Sequence, residues 1–233
     1  MTGEQLKSGR ERKGWNQERA ALRLGVSQPY LSLLEGGGRR VPEKLGRKAA
    51  GVYGLSAATL PLEATLEALK DVGQDALAAD LAALGYPGLS YLGTRTRKKN
   101  PAEVLLSGLS TADLESRLVE ALPWVVWSFP EMDWQWLKRA AKLHDLQNRL
   151  GFVTSVARGL AEKHGEREKA DLLAQRILEL EWSRLAREDT LCHDSLTEAE
   201  RRWLREHRTQ EAAHWNLLTD LTPISSSGGT ARG

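Results

Sequence analysis

Cysteine is almost missing from this chain: there is one, Cys192, in 233 residues. A single thiol cannot close an internal disulfide, and such a chain suits a reducing compartment. Long apolar runs are missing as well. Nothing approaches the roughly 18 consecutive apolar residues of a membrane-spanning helix. The N-terminal stretch MTGEQLKSGRERKGW is polar and lacks the apolar centre of a secretory signal. A cytoplasmic chain without membrane contact is expected. Strand signals are scarce too, because β-branched and aromatic residues rarely alternate with polar ones. There is no phosphate loop, no HExxH and no nucleophile elbow, and the carboxylates are spread over helical faces. Catalysis and a cofactor are therefore not expected. Cys192 and His193, with His207 and His214 nearby, form the one cluster of metal-ligating residue types. Their spacing matches no zinc pattern, so no metal is expected.

What is present reads as helix. Hydrophobic residues make up 41% and charged residues 27%, ordinary for a globular protein of one large or two modest domains. The net charge of +2 hides an asymmetry. Residues 1–60 hold 11 Lys or Arg against 5 Asp or Glu, and the remainder holds 22 against 26. A basic N-terminal unit joined to a slightly acidic remainder suits a nucleic-acid module carrying a second domain.

The strongest local pattern is Gln17 to Gly36, QERAALRLGVSQPYLSLLEG. Two short helices meeting at a sharp turn need a small residue where they touch, and Ala21 sits there. Four positions on, Gly25 can take the left-handed conformation of the turn. Val26 seals the turn, and Ser27 is a good N-cap for the next helix. Pro29 falls in that helix's first turn, where a missing N–H costs nothing. Leu31 and Leu34 face inward.

These residues resemble the Cro and phage-repressor (XRE-type) helix-turn-helix family, and the resemblance extends over about residues 4–60. Arg10 and Glu35 match the family's structural ion pair between the first and third helices. Gly37, Pro42 and Leu45 to Leu55 match the fourth helix and the turn after it. The resemblance implies an all-α fold: an N-terminal five-helix repressor-like DNA-binding domain plus a helical C-terminal domain. It also implies that the second helix of the motif enters the major groove of double-stranded DNA. The base-contacting residues would then be Gln28, Pro29, Tyr30, Ser32 and Leu33. Gln28 leads, because an amide can bond bidentately to adenine N6 and N7. Leu33 stands where the family often has a polar residue, and a thymine methyl is its expected contact. Gln17, Arg39, Arg40 and Lys44 would contact phosphates. The run Gly36–Gly38 is expected to make a mobile loop.

The expected domains are the helix-turn-helix domain at 1–62, a connecting helix and basic linker at 63–101, a helical dimerisation or regulatory domain at 102–222, and a disordered tail at 223–233. Within the linker, Leu66, Leu69, Val72, Leu77, Leu81 and Leu84 predict an amphipathic helix over 63–85 that Gly73 weakens or breaks. Residues 86–101 read as an interdomain linker with a basic centre of Arg95, Arg97, Lys98 and Lys99.

Seven of the eight tryptophans fall in the C-terminal portion. Trp124, Trp127, Trp134 and Trp136 are clustered, and they read either as core or as a surface for a small-molecule effector or partner protein. Pro123 and Pro130 bracket Trp124–Phe129, which predicts a short extended or turn element. The polar run His144, Asp145, Gln147, Asn148 and Arg149 predicts pairing between helices. Residues 160–190 predict a charged helical hairpin broken at Gly165, and Thr197 with Glu200 predicts a capping box. The leading reading is a transcription regulator, a repressor acting as a homodimer on a pseudo-palindromic operator. The alternative is an antitoxin-like or scaffold protein whose C-terminal domain binds a partner protein, with DNA binding for autoregulation.

Overall fold

The side chain of Thr2 accepts from the Gln5 backbone, and the Gln5 side chain returns the bond. This capping box starts α1 (Gly3–Arg12) in a computed structural model that describes residues 1–62, 73–93 and 97–222. Asn16 caps α2 (Gln17–Leu24), and Ser27 caps α3 (Gln28–Glu35). Then come α4 (Glu43–Tyr53) and one 3-10 turn at Ala57–Thr59. The apolar stripes of these helices converge on Leu6, Ala20, Ala21, Leu24, Leu31, Leu34, Val41, Ala49 and Tyr53. No helix here exceeds 11 residues. Helices this short are marginal alone, so burial of the shared core holds them.

The chain divides into two units, Met1–Ala64 and Thr65–Gly233. The second contains α5 (Gln74–Leu84), a 3-10 segment at Pro87–Leu92, α6 (Pro101–Ser110), α7 (Ser116–Ser128), α8 (Trp134–Leu143), α9 (Gln147–Lys163) and α10 (Arg167–Glu181). It closes with β1 (Asp189–Thr190), α11 (Glu198–His207), α12 (Gln210–His214) and β2 (Leu217–Leu218). At its centre α9 buries residues on every side, among them Leu150, Phe152, Val153, Val156, Ala157 and Leu160. Its N-terminal half is buried on all sides, with Arg158, Glu162 and Lys163 exposed toward its end, and α7, α8, α10 and α12 pack against it. β1 and β2 pair in parallel, Asp189 opposite Leu217 and Thr190 opposite Leu218. Strands of two residues carry no alternation for a sequence to display.

The hairpin expected near Gly165 is present: the chain turns there at φ 72° between α9 and α10, although α10 ends at Glu181 rather than near 190. The polar run ties the unit together. Asn148 bonds both the N–H and the C=O of Leu185 at 2.9 Å. Arg149 donates two hydrogen bonds to Asp189, one to Asp194 and one to the Leu109 carbonyl. Burial, the largest influence, lowers the pKa of Arg149, but the bonds to Asp189 together with the nearby charges of Asp189 and Asp194 raise it overall and hold the guanidinium charged. The capping box of Thr197 and Glu200 opens α11.

Two expectations are corrected. Trp124–Ser128 is not extended: α7 runs straight through Pro123. A proline inside a helix costs about 3 kcal/mol. Here Ala121, Leu122, Pro123, Val125 and Val126 are all buried by the helical path, and that burial decides the conformation. Residues 86–93 and 97–101 are no free linker either. Tyr86 and Leu89 are buried, Lys99 bonds Asp80 at 2.6 Å, and Asn100 caps α6. Gly73 is the N-cap of α5, and residues 63–72 before it lie outside the described residues. Leu66, Leu69, Val72, Arg95 and the tail 223–233 lie outside the described residues. Among the described residues no helix is long and apolar enough to cross a membrane.

Candidate nucleic-acid interface

The bend between α2 and α3 is built as its residue types require. Ala21 is buried against the core. Gly25 takes φ 72° and ends α2, and the Val26 N–H donates to the Ala21 carbonyl at 3.0 Å. The Ser27 hydroxyl accepts from the Tyr30 N–H, and Pro29 occupies the first turn of α3. Leu31 and Leu34 are fully buried, which turns the opposite side of α3 outward.

That outward side carries the candidate base readers. Pro29 and Ser32 are exposed, Gln28 and Tyr30 are half-buried, and Leu33 is 46% exposed. A leucine so open to water on a short polar-faced helix fits a methyl contact better than a packing role. Gln17 is half-buried, and Arg39, Arg40 and Lys44 are exposed.

Behind this face a polar chain runs into the core. Arg10 Nε and Nη2 donate to the two carboxylate oxygens of Glu35 at 2.7 and 2.9 Å. Its Nη1 donates to the Trp15 carbonyl at 2.9 Å. The hydrogen bond to Glu35 raises the pKa of Arg10 and holds the guanidinium charged. Gln17 Nε2 donates to Glu35 at 3.0 Å, and Gln28 Nε2 donates to the Gln17 carbonyl at 2.7 Å. Gln28 keeps one amide proton and its carbonyl oxygen, the donor and acceptor that adenine N7 and N6 require. Gln17 keeps one amide proton for a phosphate. The Arg10–Glu35 pair expected from the sequence therefore does more than join two helices: through Gln17 it orients Gln28.

The glycine run is bound into the helix end. Gly36, Gly37 and Gly38 donate to the Ser32, Leu34 and Leu33 carbonyls at 2.9, 3.2 and 3.0 Å. Three backbone bonds replace the loose loop expected there.

Two features escaped the sequence reading. Lys48 Nζ bonds the Leu24 carbonyl at 2.8 Å, satisfying an open acceptor at the C-terminus of α2. Trp15 carries the guanidiniums of Arg19 and Arg23 at 5.3 and 6.0 Å from its ring centre and meets Tyr53 edge-on at 6.0 Å. The spacing of residues 15, 19 and 23 was the available signal for that stack.

The four clustered tryptophans are engaged separately. Trp124 meets Tyr86 and Phe129 edge-on at 5.3 and 6.1 Å. Trp127 donates to Glu166 at 2.6 Å, with His164 stacked at 5.2 Å and Lys169 at 4.6 Å. Trp134 is buried and donates to the Pro130 carbonyl, with Arg176 at 5.8 Å. Trp136 is half-buried on α8. A cavity of about 350 Å³ in this unit is lined by Leu114, Glu120, His193, Leu204 and Asp220 among others, and by none of these tryptophans.

Cys192 is fully buried, and burial pushes its thiol up to about 12. His207 stacks on Trp203, and His214 pairs with Glu181. Among the described residues no group of three or more His, Cys, Asp or Glu is placed to hold a metal ion.

Residues 3–62 match the family model described as a helix-turn-helix domain. No curated protein and no solved structure matches the chain. The mostly helical chain thus carries a DNA-binding helix-turn-helix domain over residues 3–62.

Proposed function

We propose that the protein is a cytoplasmic, sequence-specific transcription regulator of the XRE type, a repressor that binds a pseudo-palindromic operator as a homodimer. The observation that carries the reading is the tether from Gln28 through Gln17 to the buried Arg10–Glu35 pair. An amide held in one orientation loses less freedom when it meets a base, and it can discriminate adenine through two bonds at once. Gln28 is the principal base reader, Ser32 adds a less discriminating bond, and Pro29 and Leu33 contact thymine methyls. Gln17, Arg40 and Lys44 hold phosphates and set the register.

Homodimerisation follows from economy of contact. One helix-turn-helix covers a single half-site, and two half-sites one helical turn, about 34 Å, apart multiply the discrimination. The C-terminal unit is the part available for pairing or for receiving a signal, and the chain acts by binding rather than by catalysis.

Selection of bound duplexes from a random pool with the full-length protein tests this. An inverted repeat bound by two chains is expected. A protein that selects no sequence, or that binds tightly as a single chain, defeats the reading.

A further inference from the structure

The run Gly36–Gly38 does something that neither the ion pair nor the turn explains. Gly37 adopts φ 75°, which reverses the chain at the end of α3. Gly38 then lies against Leu33, and a Cβ there would stand 2.7 Å from Leu33 Cδ1. The Gly38 N–H closes the turn on the Leu33 carbonyl at 3.0 Å. The chain folds back along the recognition helix and sets the Arg39 guanidinium 5.8 Å from the centre of the Tyr30 ring. Among the described residues, Arg39 forms no ion pair and donates no hydrogen bond. Arg40 and Lys44 have no such ring contact among them either.

A phosphate needs a nearby positive charge and little else. Arg39 has more than that, because its guanidinium lies over an aromatic ring while its N–H groups have no hydrogen-bond partner among the described residues. The free edge is a fork with two parallel donors, matched to the O6 and N7 acceptors of guanine in the major groove. Tyr30 is the third residue of α3, at the helix end that enters the groove. We infer that Arg39 is a guanine-reading residue, positioned by Tyr30 and by the Gly36–Gly38 turn, rather than one more phosphate contact. This rests on the DNA-reading proposal above and extends it to a second base position. Tyr30 and Gly38 act through Arg39 as positioning residues.

The test is selection from a random duplex pool, with salt titrations of the selected site, on the full-length protein and its Arg39→Lys, Arg39→Ala, Tyr30→Leu and Gln28→Ala variants. The native protein should select guanine at one position in each half-site. Arg39→Lys keeps the charge and loses the fork, so that preference should fall roughly ten-fold while the other positions and the salt slope hold. Tyr30→Leu removes the ring under Arg39, so the guanine preference should fall while the position read by Gln28 holds; an unchanged guanine preference would overturn the role of Tyr30. The inference is overturned if Arg39→Lys selects the native sequence unchanged. It is also overturned if Arg39→Ala weakens every sequence alike and lowers the salt slope by about one, the signature of a phosphate contact. Loss of an adenine position in Gln28→Ala beside a silent Arg39→Lys would sink the Arg39 assignment and leave the DNA reading standing. A native protein without sequence preference would sink both.

Discussion

Arg10 and Glu35 share two hydrogen bonds of 2.7 and 2.9 Å although they lie 25 residues apart in the chain. The Glu35 side chain is 2% exposed and that of Arg10 is 10% exposed. Removing either partner strands a charge in the core, which costs about 3–5 kcal/mol. Arg10→Ala and Glu35→Ala should each unfold the N-terminal unit at markedly lower denaturant. A double variant with apolar residues at both positions should recover much of the loss. Chemical denaturation followed by circular dichroism measures this, and a native-like midpoint in the single variants would contradict it.

Gln17 stands between that pair and the base-reading amide. Gln17→Ala removes the acceptor that orients Gln28 and one donor to Glu35. A stability loss of about 1 kcal/mol is expected, together with a weakened adenine preference at the position Gln28 reads. A phosphate role alone would lower affinity without changing which base is preferred, so competition binding with substituted duplexes separates the two.

Gly151 is required by Trp215. A Cβ at Gly151 would stand 2.4 Å from the indole ring, which is 1% exposed and donates through Nε1 to Ser155. Gly151→Ala must displace that ring, at about 1–3 kcal/mol. The melting temperature of the C-terminal unit should fall and its tryptophan emission should change, while the base preference of the protein stays the same. An unchanged melting curve would show that the ring moves freely.

The Cys192 thiol gives the C-terminal unit an alkaline sensitivity. Burial, opposed in part by Arg149, pushes its pKa up to about 12. An unfolded chain releases that proton near pH 8.5. The folded state therefore holds the proton more tightly, so the stabilisation is complete below about pH 8.5 and declines as pH rises toward 12. Cys192→Ala should flatten the fall in stability between roughly pH 8.5 and 10 relative to the native chain. The buried thiol should also resist alkylation at pH 8 until the protein unfolds. Prompt alkylation of folded protein would refute this.

The bend of the helix-turn-helix was legible because every signal for it is local. Ala21, Gly25, Val26, Ser27 and Pro29 act within a few residues of one another, through backbone conformation and capping that each residue type favours wherever it occurs. The capping box at Thr197 and the Gly165 turn were readable for the same reason. Pro123 was misread because local preference points one way and burial the other. Only the packed faces around it show that the helical path buries Ala121, Leu122, Pro123, Val125 and Val126 at the cost of one lost hydrogen bond.

By itself, then, the amino-acid order determined a mostly helical chain and the place of its sharp bend, while the pairing of Arg10 with Glu35 was expected only from the family resemblance. Tertiary structure alone decided that Gln17 links Gln28 to that pair, that Lys48 closes α2, that Arg149 gathers Asp189 and Asp194, and that Arg39 rests on Tyr30. The difference is physical. Local conformation follows from sterics and hydrogen bonds within a turn or two, whereas these contacts join distant segments whose meeting depends on how the whole core excludes water.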